Sequence, residues 1–285
     1  MPAGWPSASR RPAVPLSSLQ ARILRLLASH RDPESYVAGS AYLARGGARI
    51  SADIDIFHDR EERVARAAEE DVRALQASGL TVTWQRREPL FFQAMVSDAG
   101  DSTRLEWVVD SDFRFFPTVR DDEFGHVLHP VDLATNKMMA AAGRREPRDV
   151  VDLVTIHQDI LPLGAVAWAA VGKSIGFTPE GLINEVRRLA RYTADDFERV
   201  ASIPPVDPAR TMQDLRHALA DADAFVRRMP TDKIGLVFLR DGIPVQPDPE
   251  TLSAYVEHAG ARRGHWPSSP EIGSAMLERY GMRRP

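Results

Sequence analysis

The chain has 285 residues, a formal net charge of -4 at pH 7 and no cysteine. Its length allows one large domain or two small ones, and the lack of cysteine excludes disulfides, thiolate nucleophiles and thiolate metal sites. A negative net charge provides no overall basic surface, so any contact with nucleic acid must come from a local patch. No run of about 18 apolar residues occurs, and residues 1–15 lack the apolar core of a secretory signal, so we expect a cytoplasmic protein with no membrane segment.

The N-terminal region contains a tail, a helix and a turn with unusual chemistry. Residues 1–15 are rich in Pro, Ser and Ala and are predicted to be disordered. Residues 16–30 have apolar side chains at helical spacing, with Ser17 or Ser18 available as a cap. A short apolar run then ends at Gly39-Ser40, before a helical pattern. Gly39 allows the backbone to approach a phosphate, and a helix that begins at Ser40 has an N-terminus that favours anions.

A strand with two carboxylates follows this turn. Residues 53–57, Asp-Ile-Asp-Ile-Phe, alternate with a period of two and predict a half-buried strand. Ile54 and Ile56 then point into the core, while Asp53 and Asp55 share the opposite face. Neighbouring carboxylates repel each other unless a cation lies between them, and carboxylate oxygens are the ligands that magnesium selects. The pair indicates a divalent-metal site; the ordinary alternative is a strand end with two solvated Asp side chains.

Further helices and strands are predicted downstream. Residues 60–78 form a charged, Ala-rich helix, and residues 80–85, 90–96 and 104–109 form strands. Glu106 and Asp110 share one face of the last strand. After an irregular stretch over residues 113–129, a helix begins at Pro130 and contains Lys137 among Ala and Met residues. A second helix covers residues 147–157.

Four ordered motifs resemble the AbiEii/MenT family of toxin nucleotidyltransferases, which belongs to the superfamily related to DNA polymerase β. That family combines a Gly-Ser or Gly-Gly-Thr turn, an Arg-x-Ser-x-Asp-Ile-Asp strand, a lysine on the next core helix and an Arg-Asp-x-x-Asp-Leu helix. The similarity covers residues 36–157. One departure is Gly39-Ser40-Ala41 where many members have Gly-Gly-Thr, although Gly-Ser is the form of the wider superfamily. The matching residues are Ser40, Arg49, Ser51, Asp53, Asp55, Lys137, Arg148, Asp149 and Asp152.

The resemblance implies a fold and a reaction. The fold is an α/β (α+β) nucleotidyltransferase core with a mixed sheet over residues 16–129, followed by a mainly helical domain over residues 130–285 that contributes to the site. The reaction is transfer of NMP from an NTP to an acceptor, with release of pyrophosphate. The implied catalytic residues are Asp53, Asp55, Lys137 and Asp152. The implied nucleotide-binding residues are Gly39, Ser40, Arg49, Ser51 and Lys137.

The resemblance also implies a cofactor. Magnesium, with manganese as the alternative, is expected on Asp53, Asp55 and a third carboxylate. Glu106 is the candidate for the third carboxylate and Asp110 is the fallback. Asp152 is expected to orient Lys137 or Arg148, or to accept a proton from the attacking hydroxyl. Arg148 and Asp149 have a second interpretation as a structural ion pair, which we prefer for Asp149.

The expected partners are an RNA acceptor, namely the 3′ end of tRNA, and a cognate antitoxin protein. Two alternatives stay open: an enzyme that modifies a small molecule such as an aminoglycoside, and a catalytically silent binding module with the same fold. Residues 160–285 are mostly helical in pattern, with one strand-like run over residues 234–239. Arginine pairs there are the available positive charge for RNA, at residues 187–188, 227–228, 262–263 and 283–284.

Overall fold

The computed structural model describes residues 16–39, 49–51, 53–174 and 176–267. The predicted disordered tail, the helix expected to begin at Ser40 and the arginine pair at 283–284 lie outside these ranges. The first eight strands are β1 (Ser35–Ala38), β2 (Asp53–His58), β3 (Thr81–Glu88), β4 (Phe91–Asp98), β5 (Asp101–Val109), β6 (Phe113–Arg114), β7 (Val119–Asp121) and β8 (Gly125–Val127).

Seven of these strands form the central sheet, in the order β3-β4-β5-β2-β1-β8-β7. The sheet is mixed as predicted, because β2 runs parallel to β5 and antiparallel to β1. The three strands predicted over residues 80–85, 90–96 and 104–109 are confirmed as the antiparallel meander β3-β4-β5. Each extends further than predicted, because cross-strand hydrogen bonds include residues such as Arg87 and Asp101 that interrupt the apolar alternation.

One face of this sheet is covered by two helices, α1 (Ser18–Leu27) and α2 (Glu61–Ala77). Ser17 caps α1 by accepting a hydrogen bond from the backbone N–H of Gln20, whose side chain accepts one from the Ser17 N–H. Ile54 and Ile56 are buried beneath these helices. The prediction for β2 is thereby confirmed, and Asp53 and Asp55 face the other side of the sheet.

The C-terminal half begins with five helices. They are α3 (Pro130–Gly143), α4 (Pro147–Asp159), α5 (Leu163–Ala170), α6 (Pro179–Leu189) and α7 (Pro208–Val226). All eight residues of α5 are buried, which explains why its sequence is apolar on every side. The predicted starts and ends of α3 and α4 are confirmed to within two residues.

The strand-like run predicted over residues 234–239 forms part of a second, three-stranded sheet. β9 (Leu236–Arg240) overlaps this run and lies between β10 (Ile243–Val245) and β11 (Val256–Ala259) in this sheet. The short strand β12 (Ala261–Arg262) then pairs with β6. The sequence pattern missed these partners because β10 has only three residues, one of them a proline, and β11 has no apolar alternation.

Among the described helices, none has the length and composition to cross a membrane by itself. Only α4 taken together with residues 163–173 passes that test, as a pair bent by 109°.

Candidate active site

The two carboxylates of β2 lie beside a third on β5. Asp55 is the strand partner of Glu106 on one side and of Ala38 on the other, so the side chains of Asp55 and Glu106 share one face of the sheet. Burial, and to a lesser extent the negative charges of Glu106 and Asp53, raise the pKa of Asp55 to about 6. The site therefore concentrates negative charge at a buried position.

Gly39 brings the backbone that follows β1 against Asp55. Its φ is +69°, and a Cβ added there would lie 2.0 Å from Oδ2 of Asp55. Only glycine fits both the left-handed backbone and this contact. The observed contact is with Asp55, so the predicted approach of Gly39 to a phosphate stays a prediction, and Ser40 lies outside the described residues.

Two guanidinium groups hold Asp53. Arg104 donates to its Oδ1 from Nε at 2.9 Å and from Nη2 at 2.7 Å, and Arg148 reaches Oδ2 from Nη1 at 3.3 Å. Arg104 also lies 3.3 Å from Glu106, which accepts a hydrogen bond of 2.7 Å from Gln93. The arginines thus supply the positive charge that compensates this carboxylate cluster.

The chemistry of the donor set fits a divalent cation. Asp53, Asp55 and Glu106 provide hard oxygen ligands on two adjacent strands of a rigid sheet. Within the described ranges, however, no three acidic or imidazole groups converge closely enough to form a ready-made metal site. Arg104 forms ion pairs with both Asp53 and Glu106. A metal ion bound by these carboxylates would have to replace the guanidinium group of Arg104.

Lys137 lies in a buried charge cluster formed by α3 and α4. Its Nζ is 3.0 Å from Oδ1 of Asp149 and 2.8 Å from Oδ2 of Asp152, and its side chain is only 7% exposed. Arg144 donates to both oxygens of Asp149 at 2.8 and 3.0 Å. Although burial opposes it, the hydrogen bond from Arg144 and the charge of Lys137 lower the pKa of Asp149. Lys137 is therefore held in place as a cation rather than lying free on the surface.

Arg49 and Ser51 connect this cluster to β2. Arg49 binds Asp152 with two hydrogen bonds, of 2.6 Å from Nε and 3.1 Å from Nη2. Ser51 donates to the backbone oxygen of Asp53 at 2.7 Å. Both residues thus position other groups of the site, and their predicted role in nucleotide binding stays a prediction.

Two alternatives for the acidic residues can be compared with these contacts. Arg148 contacts Asp53, whereas Asp149 pairs with Lys137 and Arg144, so the interpretation of Arg148-Asp149 as an ion pair with each other was wrong. Arg148 is directed to the carboxylate cluster because it lies one residue before Asp149 and thus on another side of α4. Asp110 lies beyond the end of β5, where burial raises its pKa and the positive charge of Lys173 opposes that rise. Glu106, not Asp110, is in register with Asp55.

Sequence reasoning missed three residues that contact this site, namely Arg104, Gln93 and Arg144. A signal for Arg104 exists, because it alternates with Glu106 on the face of β5 that carries the predicted third carboxylate. The position of Gln93 depends on the antiparallel pairing of β4 with β5, and that of Arg144 on the turn between α3 and α4. Neither has a local sequence signature.

The C-terminal arginine pairs are largely neutralised by nearby carboxylates. Arg187 binds Asp223 at 2.5 Å and Arg188 binds Glu185 at 2.6 Å. The remaining ion pairs of this kind are Arg228 with Glu250, Arg262 with Asp112 and Arg263 with Glu34. Only the pair of Arg188 with Glu185 follows from helical spacing; the other pairs join segments that are distant in sequence, which a count of basic residues does not show.

No protein-family model and no curated protein sequence matches this chain. Among solved structures, the chain is similar to MenT4, a nucleotidyltransferase toxin from Mycobacterium tuberculosis H37Rv, with 17% identity and a TM-score of 0.54. The alignment covers 75% of this chain and 83% of MenT4. The chain has the MenT-type nucleotidyltransferase fold. A weaker similarity to the Cid1 poly(U) polymerase has 13% identity and a TM-score of 0.27, over 53% of this chain and 43% of that one.

Within this fold, the residues predicted from the motifs fall into two groups on one side of the central sheet. The first is the carboxylate cluster of Asp53, Asp55 and Glu106. The second is the charge cluster around Lys137, which Arg49 joins to the first through the segment before β2. The two groups lie close enough for the positive charge of Lys137 to act on the pKa of Asp55, so an acidic region lies next to a buried lysine.

Proposed function

We propose that the chain is a magnesium-dependent nucleotidyltransferase that transfers NMP from an NTP to the 3′ end of an RNA, with tRNA as the expected acceptor. The observation that carries this proposal is the register of β2 and β5, which places Asp55 beside Glu106 and Asp53 beside Arg104 in a MenT-type fold. We further propose that it acts in the cytoplasm as the toxin of a toxin–antitoxin pair, a role suggested by the resemblance to toxin nucleotidyltransferases.

The residues of the site have distinct roles in this mechanism. Asp53, Asp55 and Glu106 hold the metal, which when bound neutralises phosphate charge and orients an in-line displacement at the α-phosphorus. Backbone N–H groups after Gly39 and the hydroxyl of Ser40 bind the phosphates in this proposal. Arg104 and Arg148 contact Asp53 and would offer positive charge to the oxygens of the reacting groups beside the metal-binding carboxylates.

Lys137 contributes a fixed positive charge for the nucleotide phosphates. Both carboxylate oxygens of Asp152 already have partners: each accepts a hydrogen bond from Arg49, and Oδ2 also forms an ion pair with Lys137. This arrangement favours a role for Asp152 in orienting Lys137 over a role as the proton acceptor. The proton of the attacking hydroxyl would then go to water or to another carboxylate of the site.

The test of this function is a transfer assay with each labelled NTP, total RNA and a mixture of aminoglycosides. We expect label on RNA only with magnesium, loss of labelling with EDTA, and no labelling by Asp53→Asn or Asp55→Asn. Asp98→Asn, which changes a half-exposed carboxylate paired with Arg22 on the β4-β5 turn, is the matched control and should keep full activity. Labelling that survives EDTA, or full turnover by Asp55→Asn, contradicts the proposal.

The stability of Asp55→Asn should be measured alongside its activity. Because the folded-state pKa of Asp55 is raised, its ionisation destabilises the fold as the pH rises through about 6. Without metal, the variant should therefore be more stable than the wild type at pH 8, with a smaller difference at pH 5. Loss of activity with this gain of stability separates a catalytic effect from unfolding.

A further inference from the structure

The face of the sheet that carries the carboxylates continues past them to the free edge. Strand pairing places one row of residues across five strands, in the order Ala38, Asp55, Glu106, Gln93 and Arg86. Adjacent strands lie about 4.8 Å apart, so Arg86 is about 14 Å from Asp55. The neighbouring row ends with Phe57, Val108, Phe91 and Glu88. The active face thus extends over β4 and β3.

This extension combines positive charge with an aromatic ring. The guanidinium carbon of Arg86 lies 5.6 Å from the ring centre of Phe91, and the Arg86 side chain is 58% exposed. Its contact with Glu88 is 3.6 Å long and equally exposed, so a phosphate can replace it at little cost. Arg104, on β5 between this surface and Asp53, is 39% exposed.

The direction of the reaction points to what this surface binds. Gly39 lies against Asp55 from the β1 side, which assigns the nucleotide phosphates to that side of the carboxylates. In-line displacement requires the attacking hydroxyl to approach from the side opposite the leaving pyrophosphate. The acceptor therefore has to reach the carboxylates over β5, β4 and β3.

We propose that Arg86, Phe91 and Gln93 form the binding surface for the single-stranded 3′ end of the acceptor RNA. This inference rests on the function proposed above and identifies where its second substrate lies. Phe91 stacks on a base, Arg86 contacts a backbone phosphate, and Gln93 links this surface to the carboxylates through Glu106. An aromatic ring beside an arginine is the combination that binds unpaired nucleotides without regard to sequence.

The chain provides a matched control for this surface. Arg86 and Arg87 are consecutive residues of β3, with side chains that are 58% and 52% exposed. They point to opposite faces, because Arg86 is the partner of Gln93 whereas Arg87 is the partner of Phe92 and binds Glu69 of α2. Replacing either by Gln removes the same charge, but only the change at Arg86 affects the active face.

The experiment measures binding of a short fluorescein-labelled single-stranded RNA to the full chain, without NTP or metal, over a range of salt concentrations. Phe91→Ala should weaken binding about tenfold, since base stacking is worth about 1–3 kcal/mol. Phe91→Leu should weaken it similarly while preserving apolar volume, which guards against a folding defect. Arg86→Gln should lower the slope of log K against log salt by about 0.7, the value for one phosphate contact on a single strand.

Arg87→Gln should behave as the wild type in the same titrations. In the transfer assay, the variants at Arg86 and Phe91 should raise the KM for RNA and leave the KM for NTP unchanged. RNA binding that is unchanged in Arg86→Gln and Phe91→Leu overturns this inference, even if transfer to RNA is observed. Transfer to aminoglycosides alone, with no RNA binding by the wild type, overturns it together with the acceptor class. If RNA binds through Arg86 and Phe91 but no NMP is transferred to any acceptor, the proposed activity fails while this surface stands.

Discussion

Lys137 shows how ion pairs can hold a buried lysine in a fixed position. Two carboxylates contact its Nζ, and Arg49 and Arg144 in turn bind those carboxylates. The cluster as a whole carries one positive charge more than the two carboxylates compensate. A phosphate that approaches Lys137 therefore meets a net positive environment whose lysine is already oriented, so little side-chain entropy is lost on binding.

Replacing Lys137 should separate this ligand role from its structural role. Lys137→Ala should weaken NTP binding and transfer together. Lys137→Arg should restore them only in part, because the planar guanidinium group of arginine differs in shape from the compact ammonium group of lysine. We expect a loss of roughly 3 kcal/mol in unfolding free energy, since two buried carboxylates lose a partner. Nucleotide titrations and thermal unfolding measure the two effects.

Lys173 is the control for this experiment. Its Nζ lies 2.8 Å from the fully buried Asp132, and its side chain is 10% exposed, much as for Lys137. Lys173→Ala should destabilise the fold to a similar extent without changing nucleotide affinity. An NTP affinity that is unchanged in Lys137→Ala would remove this lysine from the nucleotide site.

At the scale of elements, the end of β1 and the strand β2 act as one unit. β1 delivers Gly39 to Asp55, and the antiparallel register of the two strands makes Ala38 the partner of that same residue. The backbone at Gly39 is thus packed against a side chain on the neighbouring strand. Any side chain larger than hydrogen at residue 39 has to displace the Asp55 carboxylate.

Gly39→Ala should therefore inactivate the protein through the position of Asp55. The added methyl group meets Oδ2 at 2.0 Å, and displacement of a catalytic group by about 1 Å typically costs a hundredfold in rate. Gly79→Ala is the control, because Gly79 also has a positive φ, of +86°, but nothing lies within 4 Å of its added Cβ. Each change should cost roughly 1–2 kcal/mol in backbone strain. Equal transfer rates in the two variants would show that the contact between residue 39 and Asp55 is not the cause of inactivation.

The elements also show what the sequence could predict. The alternation of Asp53 to Phe57 predicted both the strand and the faces of its side chains. In a half-buried strand, successive residues alternate between the core and the opposite face, so their polarity alternates as well. The order of the sheet was not predictable in this way. β5 lies beside β2 although α2 and two strands separate them along the chain, and this pairing brings Arg104 to Asp53. Contacts between distant segments, such as that of Arg49 with Asp152, leave no local pattern.

Across the whole molecule, the arginines differ in how accessible their positive charge is to a polyanion. The arginines of the C-terminal half are numerous, but short ion pairs with neighbouring carboxylates neutralise most of those described above. Arg262 and Arg263 hold the last described strand in place. Arg262 pairs with Asp112 next to β6, and Arg263 pairs with Glu34 before β1. By contrast, the weak 3.6 Å pair of Arg86 leaves its charge available to a polyanion.

This distribution predicts which arginines contribute to RNA binding. The double replacement Arg262→Ser with Arg263→Ser should leave the salt slope of RNA binding unchanged, because arginines already paired with carboxylates release few counterions when RNA binds. It should lower the melting temperature, since β12 loses the ion pairs that support its pairing with β6. The slope is measured with the labelled single-stranded RNA beside Arg86→Gln, for which a decrease is expected. A decrease in the double variant together with an unchanged slope in Arg86→Gln would instead place the RNA on the C-terminal half, and the free edge of the sheet would then have no part in acceptor binding.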